Sequence, residues 1–226
     1  MVLDARDNQE SLSKLLKHYW GPVYAYLRRD GRDREQAEEF TQAFLAEVLI
    51  GRELLLKVNP ARGRFRSFLL KSLKHYLVDV HRHQHGRDGQ RTFISLPDDP
   101  DAFRTIEPDE RDGPDQAFLK QWAATVFGQA LERMRDSCLA NGMEHHWQVF
   151  EARSIQPLLY GREPASLDEL VVMTSAQDTS HISNLLHSAK RKFYGILQEV
   201  VSETVDDPDT VESEIDELIR LLGAPS

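Results

Sequence analysis

Apolar residues in this chain recur three and four positions apart almost from end to end, the spacing of α-helices that each bury one face. Leu12, Leu15, Leu16, Tyr19, Val23, Tyr26 and Leu27 form one stripe. Ala37, Phe40, Phe44 and Val48 form a second, and Phe65, Phe68, Leu69, Ser72, Tyr76 and Val80 a third. Gly31, Gly51 and the stretch from Pro60 to Gly63 punctuate them. The pattern predicts an all-α protein whose residues 1–94 form a bundle of about four helices. No run alternates in the way a half-buried strand requires.

Residues 95–117 break the pattern. Pro97, Pro100, Pro108, Gly113 and Pro114 sit among aspartates and glutamates with little to bury, which predicts an extended acidic linker. A second helical set, 118–205, starts at Phe118 and runs through Trp122, Phe127, Leu131, Met134 and Cys138. Trp147, Val149 and Phe150 belong to another helix, which Pro157 ends or bends. Ser166 with Glu169 three residues on is a capping box opening a short helix at Leu167, Leu170 and Val171. After a polar turn from Thr174 to Asp178, Ile182, Leu185, Leu186, Ala189, Phe193, Ile196, Leu197 and Val200 line one face of a long helix. Short helix, turn and long helix with a basic end is the outline of a helix-turn-helix, although many helical proteins contain such a hairpin. Val211, Ile215, Leu218, Ile219 and Leu222 mark a last amphipathic helix within the acidic segment 206–226.

Charge is partitioned along the chain. The whole carries a formal −9, yet residues 51–94 hold ten Lys and Arg against three Asp and Glu, with four histidines besides. Residues 95–118 hold eight acidic and two basic groups, and residues 199–226 nine and one. Such segregation points to partners rather than to one evenly solvated surface. The lone Cys138 excludes an intramolecular disulfide and a cysteine zinc cage. No apolar run reaches the roughly 18 residues that cross a bilayer, and the start lacks a secretory apolar core, so a cytoplasmic location is expected.

Catalytic patterns are missing: there is no G-x-S-x-G, no phosphate-cradling glycine loop and no H-E-x-x-H. The expectation is a protein that is not an enzyme and has no cofactor. His81, His83 and His85 alternate, but they end a helix inside the basic segment, where positive charge opposes a divalent cation. No metal is expected there, nor at His145 and His146. The basic segment carries more information. Arg62, Arg64, Arg66, Lys71, Lys74, His75 and Arg82 interleave with Phe65, Phe68 and Tyr76. Cations neutralise phosphates and aromatic faces stack unpaired bases, so nucleic acid is a candidate partner, against a solvated helix face over an aromatic core.

The order of these pieces resembles an extracytoplasmic-function sigma factor of bacterial RNA polymerase, over roughly residues 11–222. Residues 19–29 resemble the opening helix of sigma region two. Ala37-Glu38-Glu39-Phe40-Thr41-Gln42-Ala43-Phe44-Leu45 resembles its polymerase-binding helix. Gly63 to Leu69 with Lys74 to Asp79 resembles the segment that melts and reads the minus-ten element. Ser183 to Phe193 resembles the region-four recognition helix. The helix at Gln121-Trp122-Ala123 and the acidic ending resemble a subgroup common in planctomycetes.

The resemblance implies two helical domains, 1–94 and 118–205, joined by an acidic linker that threads the RNA exit path. It implies binding of the polymerase core, through the β′ and β subunits, by Glu38, Glu39, Gln42 and Phe44. It implies minus-ten contacts by Arg62, Arg64, Arg66, Lys71, Lys74, His75 and Arg82. Thr179, Ser180, His181, Ser183, Asn184, His187, Lys190 and Arg191 would face a minus-thirty-five element, and an anti-sigma protein is an expected partner. The chain departs from the pattern in having no glycine in the region-four turn and His75 where an asparagine is usual. Ser183, Leu185 and Ser188 stand where Lys or Arg is usual. Two other readings are a plain helix-turn-helix regulator and a sigma-like interaction protein held by a protein partner.

Overall fold

The computed structural model describes residues 9–47, 64–85, 107–205 and 207–223, without the side chains of 9–14 and 83–85. All regular structure among them is helical. The helices are α1 (Gln9–Arg29), α2 (Arg34–Leu45), α3 (Phe65–His85), α4 (Pro114–Ala140), α5 (Glu144–Phe150), α6 (Gln156–Tyr160), α7 (Leu167–Thr174), α8 (Thr179–Ser202) and α9 (Val211–Gly223). Three helices of the expected first bundle are therefore seen, and residues 48–63 and 86–94 lie outside the described residues. The chain forms two compact units, Met1–Val126 with Val201–Ser226, and Phe127–Val200. These units do not coincide with the segments 1–94, 95–117 and 118–205, because the start of α4 and all of α9 group with the first unit.

The first unit is built on the stripes read from the sequence. Leu15, Tyr19, Val23 and Leu27 of α1 are buried, with Ala37, Phe44 and Leu45 of α2 and Phe65, Leu69, Leu73 and Tyr76 of α3. Each large apolar side chain so enclosed contributes roughly 1.5–3 kcal/mol. Tyr19 meets Phe65 edge-on with ring centroids 5.2 Å apart, and Phe44 lies 5.3 Å from Tyr76. Phe118 and Trp122 of α4 and Ile215 and Leu218 of α9 are buried with them. Gly21 lets α4 approach α1, since a Cβ there would stand 3.1 Å from Gln121 Nε2. Asp33 caps α2, accepting from the Gln36 N–H at 2.8 Å, while Gln36 Oε1 accepts from the Asp33 N–H at 3.3 Å.

The expected linker is ordered in its last part, which corrects the reading of 95–117 as extended throughout. Residues 95–106 lie outside the described residues, but Glu107 to Asp112 are fastened to α1. Tyr24 Oη donates to Glu107 Oε1 at 2.7 Å, and Arg28 Nε to Glu107 Oε2 at 2.9 Å. Arg29 Nε donates to the Asp112 carbonyl at 2.8 Å, and its Nη2 to the Glu110 carbonyl. Lys120 Nζ reaches Asp112 Oδ1 at 2.8 Å. Composition misled here because it measures apolar burial, whereas this segment is held by charge-assisted hydrogen bonds.

This clasp makes a pH prediction. Burial first, then the hydrogen bond to Glu107, pushes the Tyr24 hydroxyl from 10.0 up to about 12. For Glu107, burial alone would raise the carboxyl above 4.5, but hydrogen bonds from Tyr24 and Arg28 outweigh it and the net shift is downward. A raised tyrosine pKa stabilises below its unfolded value of 10.0 and is lost as pH climbs through about 12. A depressed carboxylate pKa stabilises above 4.5 and is lost as pH falls through its lower folded value. In a pH-jump titration read by tyrosine absorbance before unfolding, Tyr24→Phe should remove the step near 12, and Glu107→Gln should move that step toward 10.0. Superimposable curves for wild type and Tyr24→Phe would contradict the clasp.

In the second unit, Val149, Leu170 and Ile182 form a buried cluster flanked by Leu167, Val171, Leu185 and Leu186. Phe193 packs 5.4 Å from Phe127 and 5.1 Å from Phe150. The bend expected at Pro157 is a π-helical stretch, Glu151–Ile155, which runs directly into α6; Pro157 has no N–H to offer the preceding turn, and the Ala152 carbonyl there accepts from the Ala165 N–H at 3.4 Å. The capping box is present: the Glu169 N–H donates to Ser166 Oγ at 3.2 Å, and Glu169 Oε2 accepts from the Ser166 N–H at 2.8 Å.

Candidate nucleic-acid interface

One side of α3 faces the core and the other faces water, because its sequence separates the two at helical spacing. Opposite the buried Phe65, Leu69, Leu73, Tyr76 and Val80 lie Ser67, Lys71, Lys74, His75, Val78, Asp79 and Arg82, all exposed. Positions 67, 71, 74, 75, 78, 79 and 82 form one continuous strip, about 22 Å long at about 1.5 Å rise per residue. Lys71, Lys74, His75 and Arg82 are therefore brought together as the sequence predicts. Val78, 49% exposed, puts an apolar surface within the strip, between His75 and Arg82. Lys74 Nζ is 2.6 Å from Asp115 Oδ2, but both side chains are about half exposed, so water screens the pair to about 0–1 kcal/mol.

The arginines before this strip are placed differently. Arg64 Nε lies 2.5 Å from Glu214 Oε1 and Arg66 Nη1 2.7 Å from Glu214 Oε2, with Glu214 coming from α9. Arg64 Nη2 also donates to Ser213 Oγ at 3.4 Å. The Arg66 guanidinium stacks 4.0 Å above the Trp122 ring, a cation–π contact in a desolvated site. The side chains of Arg66 and Glu214 are only 4% and 2% exposed, whereas Arg64 keeps 35%. Arg66 Nη1 and Glu214 Oε1 make no aligned hydrogen bond, so the contact is ionic rather than directional. Burial lowers the Arg66 pKa against the pull of Glu214, and burial raises the Glu214 pKa against Arg66 and Arg64. Desolvation outweighs attraction for both partners, as buried pairs commonly show. Arg66 is thus corrected from the strand-holding face to an enclosed position. The reason is register: it falls one residue after Phe65, on the flank of α3 that α4 and α9 cover. Arg62 lies outside the described residues.

On α2, Glu38 and Glu39 are exposed and Gln42 is half-buried. Glu38 pairs with Arg34 one turn before it, at 3.0 Å. Phe44 is fully buried against Tyr76, which removes it from the exposed face assigned to it. Six positions after Glu38, Phe44 lies about 120° round the helix from it, on the side shared with Ala37 and Thr41.

In the second unit, α7 and α8 form the expected helical hairpin. The turn between them solves the missing-glycine problem with Ser175, which takes the left-handed conformation at φ 54°. The Ala176 N–H then donates to the Val171 carbonyl at 3.1 Å, closing α7. Asp178 opens α8, its Oδ1 accepting from the His181 N–H at 2.8 Å. Ser180, His181, Ser183, Asn184, His187, Lys190 and Arg191 share the exposed face of α8, and Thr179 is half-buried at its start. Ser183 Oγ is already engaged, donating to the Thr179 carbonyl at 2.9 Å.

No family model, curated protein or solved structure matches this chain. Among the described residues no group of three or more His, Cys, Asp or Glu side chains is arranged to hold a metal ion, and no helix is long and apolar enough to cross a membrane. Two residues that bear on the interface escaped the sequence reading, Asp115 and Glu214, and Trp122 figures there only as part of its helix, not as the partner of Arg66. The signal for the acidic pair was present in the charge partition, since both lie in the segments whose negative charge opposes that of residues 51–94.

Proposed function

We propose that this chain is a sigma-like transcription initiation factor that binds RNA polymerase core and reads promoter DNA. The observation that carries the reading is the exposed strip of Lys71, Lys74, His75, Val78 and Arg82 along the outer side of α3. It combines cations for phosphates with an apolar and an imidazole surface for unpaired bases. The hairpin of α7 and α8 supplies a second nucleic-acid element, with Asn184 and His181 toward its entering end and Lys190 and Arg191 further along. Glu38 and Glu39 give α2 an acidic face for a basic polymerase surface. In this reading the strand is held by α3, and a base swung from the stack is met near His75.

The deciding experiment is run-off transcription with purified core enzyme. Transcripts that need core, this chain and an intact minus-ten element would support the reading. Failure of the chain to bind core in a pull-down would replace it with the sigma-like interaction protein. A finer prediction separates the residues of the strip. Lys71→Ala and Arg82→Ala should each weaken binding to every single strand and flatten the salt slope by about 0.7, because a phosphate contact carries no sequence information. His75→Ala should leave that slope unchanged and alter which minus-ten base is preferred. Anisotropy titrations over a salt series on matched and mismatched strands measure both, and equal behaviour of the three variants would remove the base-reading role of His75.

A further inference from the structure

The acidic residues of the chain meet its basic residues at the place where nucleic acid would enter. Glu214 of α9 takes both Arg64 and Arg66, and Asp115 of α4 takes Lys74. Of the five Lys and Arg between 64 and 82, three therefore face a carboxylate of the same unit. Among the described residues no carboxylate pairs with Lys71 or Arg82. A carboxylate at 2.5–2.7 Å from two guanidinium groups occupies the position a phosphate oxygen would take, with the same charge sign.

From this we infer that α9 is an intramolecular competitor of nucleic acid: it caps the N-terminal end of the α3 strip, and full engagement of a strand requires Glu214 to leave Arg64 and Arg66. This rests on the nucleic-acid reading of α3. The helix is suited to detach as a unit. It is anchored by Ile215, Leu218 and Leu221 on one side, while Glu212, Asp216, Ile219 and Arg220 remain exposed on the other. Breaking the buried pair outright would be costly, so Glu214 leaves only as a phosphate takes its place beside Arg64 and Arg66. Lys71 and Arg82 would make the first, weak capture, and the two arginines would add their contacts after displacement.

The test uses the full chain and a fluorescein-labelled single-stranded oligonucleotide of mixed sequence. Glu214→Gln keeps the shape of the anchor and removes its charge. Ile215→Ser weakens the docking of α9 but keeps every charge, and so guards against a folding defect peculiar to the first variant. Both should bind the oligonucleotide about tenfold more tightly at low salt, with a salt slope steeper by about 0.7 for each arginine released. In wild type, adding the oligonucleotide should speed amide exchange across 211–223 while α3 becomes more protected. If wild type and both variants bind equally, and exchange in 211–223 does not respond, the competitor role is overturned while the α3 interface stands. If Lys71→Ala and Arg82→Ala bind as wild type does, the interface itself is overturned and the competitor role with it.

Discussion

Arg66→Ala should lower the stability of the first unit by about 3–5 kcal/mol, the usual result of stranding one member of a buried ion pair. Alanine at 66 leaves the Glu214 carboxylate enclosed, 2% exposed, with only the more exposed Arg64 beside it. The same change strips the guanidinium from the face of Trp122 and opens space beside a fully buried indole. Replacing both partners, as in Arg66→Met with Glu214→Leu, should restore most of the loss, since apolar groups of similar size carry no desolvation cost. Urea denaturation followed by hydrogen exchange on α3 and α9 distinguishes the units, which need not unfold together. A loss below about 1 kcal/mol for the single variant, or a double variant no better than the single, would mean that the pair is not the anchor described.

Charge reversal at Glu38 and Glu39 is the second large effect. If α2 docks on a basic surface of polymerase core, Glu38→Lys with Glu39→Lys should weaken assembly about a hundredfold or more, because like charges brought together cost several kcal/mol. The fold should hardly notice. Both side chains are exposed, and among the described residues the ion pair lost is Arg34 with Glu38, which water screens. Circular dichroism and native-gel or light-scattering assays of core binding measure the two sides. A variant that folds and assembles normally would sink the docking role of α2.

The sequence carried the helices well where one rule governs them. The stripe from Leu15 to Leu27, the capping box at Ser166 and Glu169, and the apolar face of α8 were legible because spacing and capping chemistry are local. It carried less where a residue's fate depends on a distant partner. Arg64 and Arg66 look alike as cations of the basic segment, yet one is half-buried and the other enclosed, a difference created by Trp122 and Glu214 far along the chain. Phe44 followed its motif rather than its helical phase, and the phase was right. Ser175 could not be found by a search for glycine, because a serine accepted the left-handed turn. The charge partition points to external partners, yet among the described residues several of the partners belong to the chain itself.

The hold on Glu107 to Asp112 has a consequence for how this stretch can vary. Tyr24 and Arg28 grip a side chain, so position 107 must keep a carboxylate of the right reach. Arg29 grips the carbonyl oxygens of Glu110 and Asp112, which every amino acid provides. Position 110 is thus fixed in space and open in identity, while Arg29 on α1 is fixed in both. A stretch that looks like low-complexity acid in the alphabet is, in its backbone path, one of the more tightly specified parts of the molecule. Its composition is a poor guide to how much substitution it tolerates, and the arginine that never appears in it is the better one.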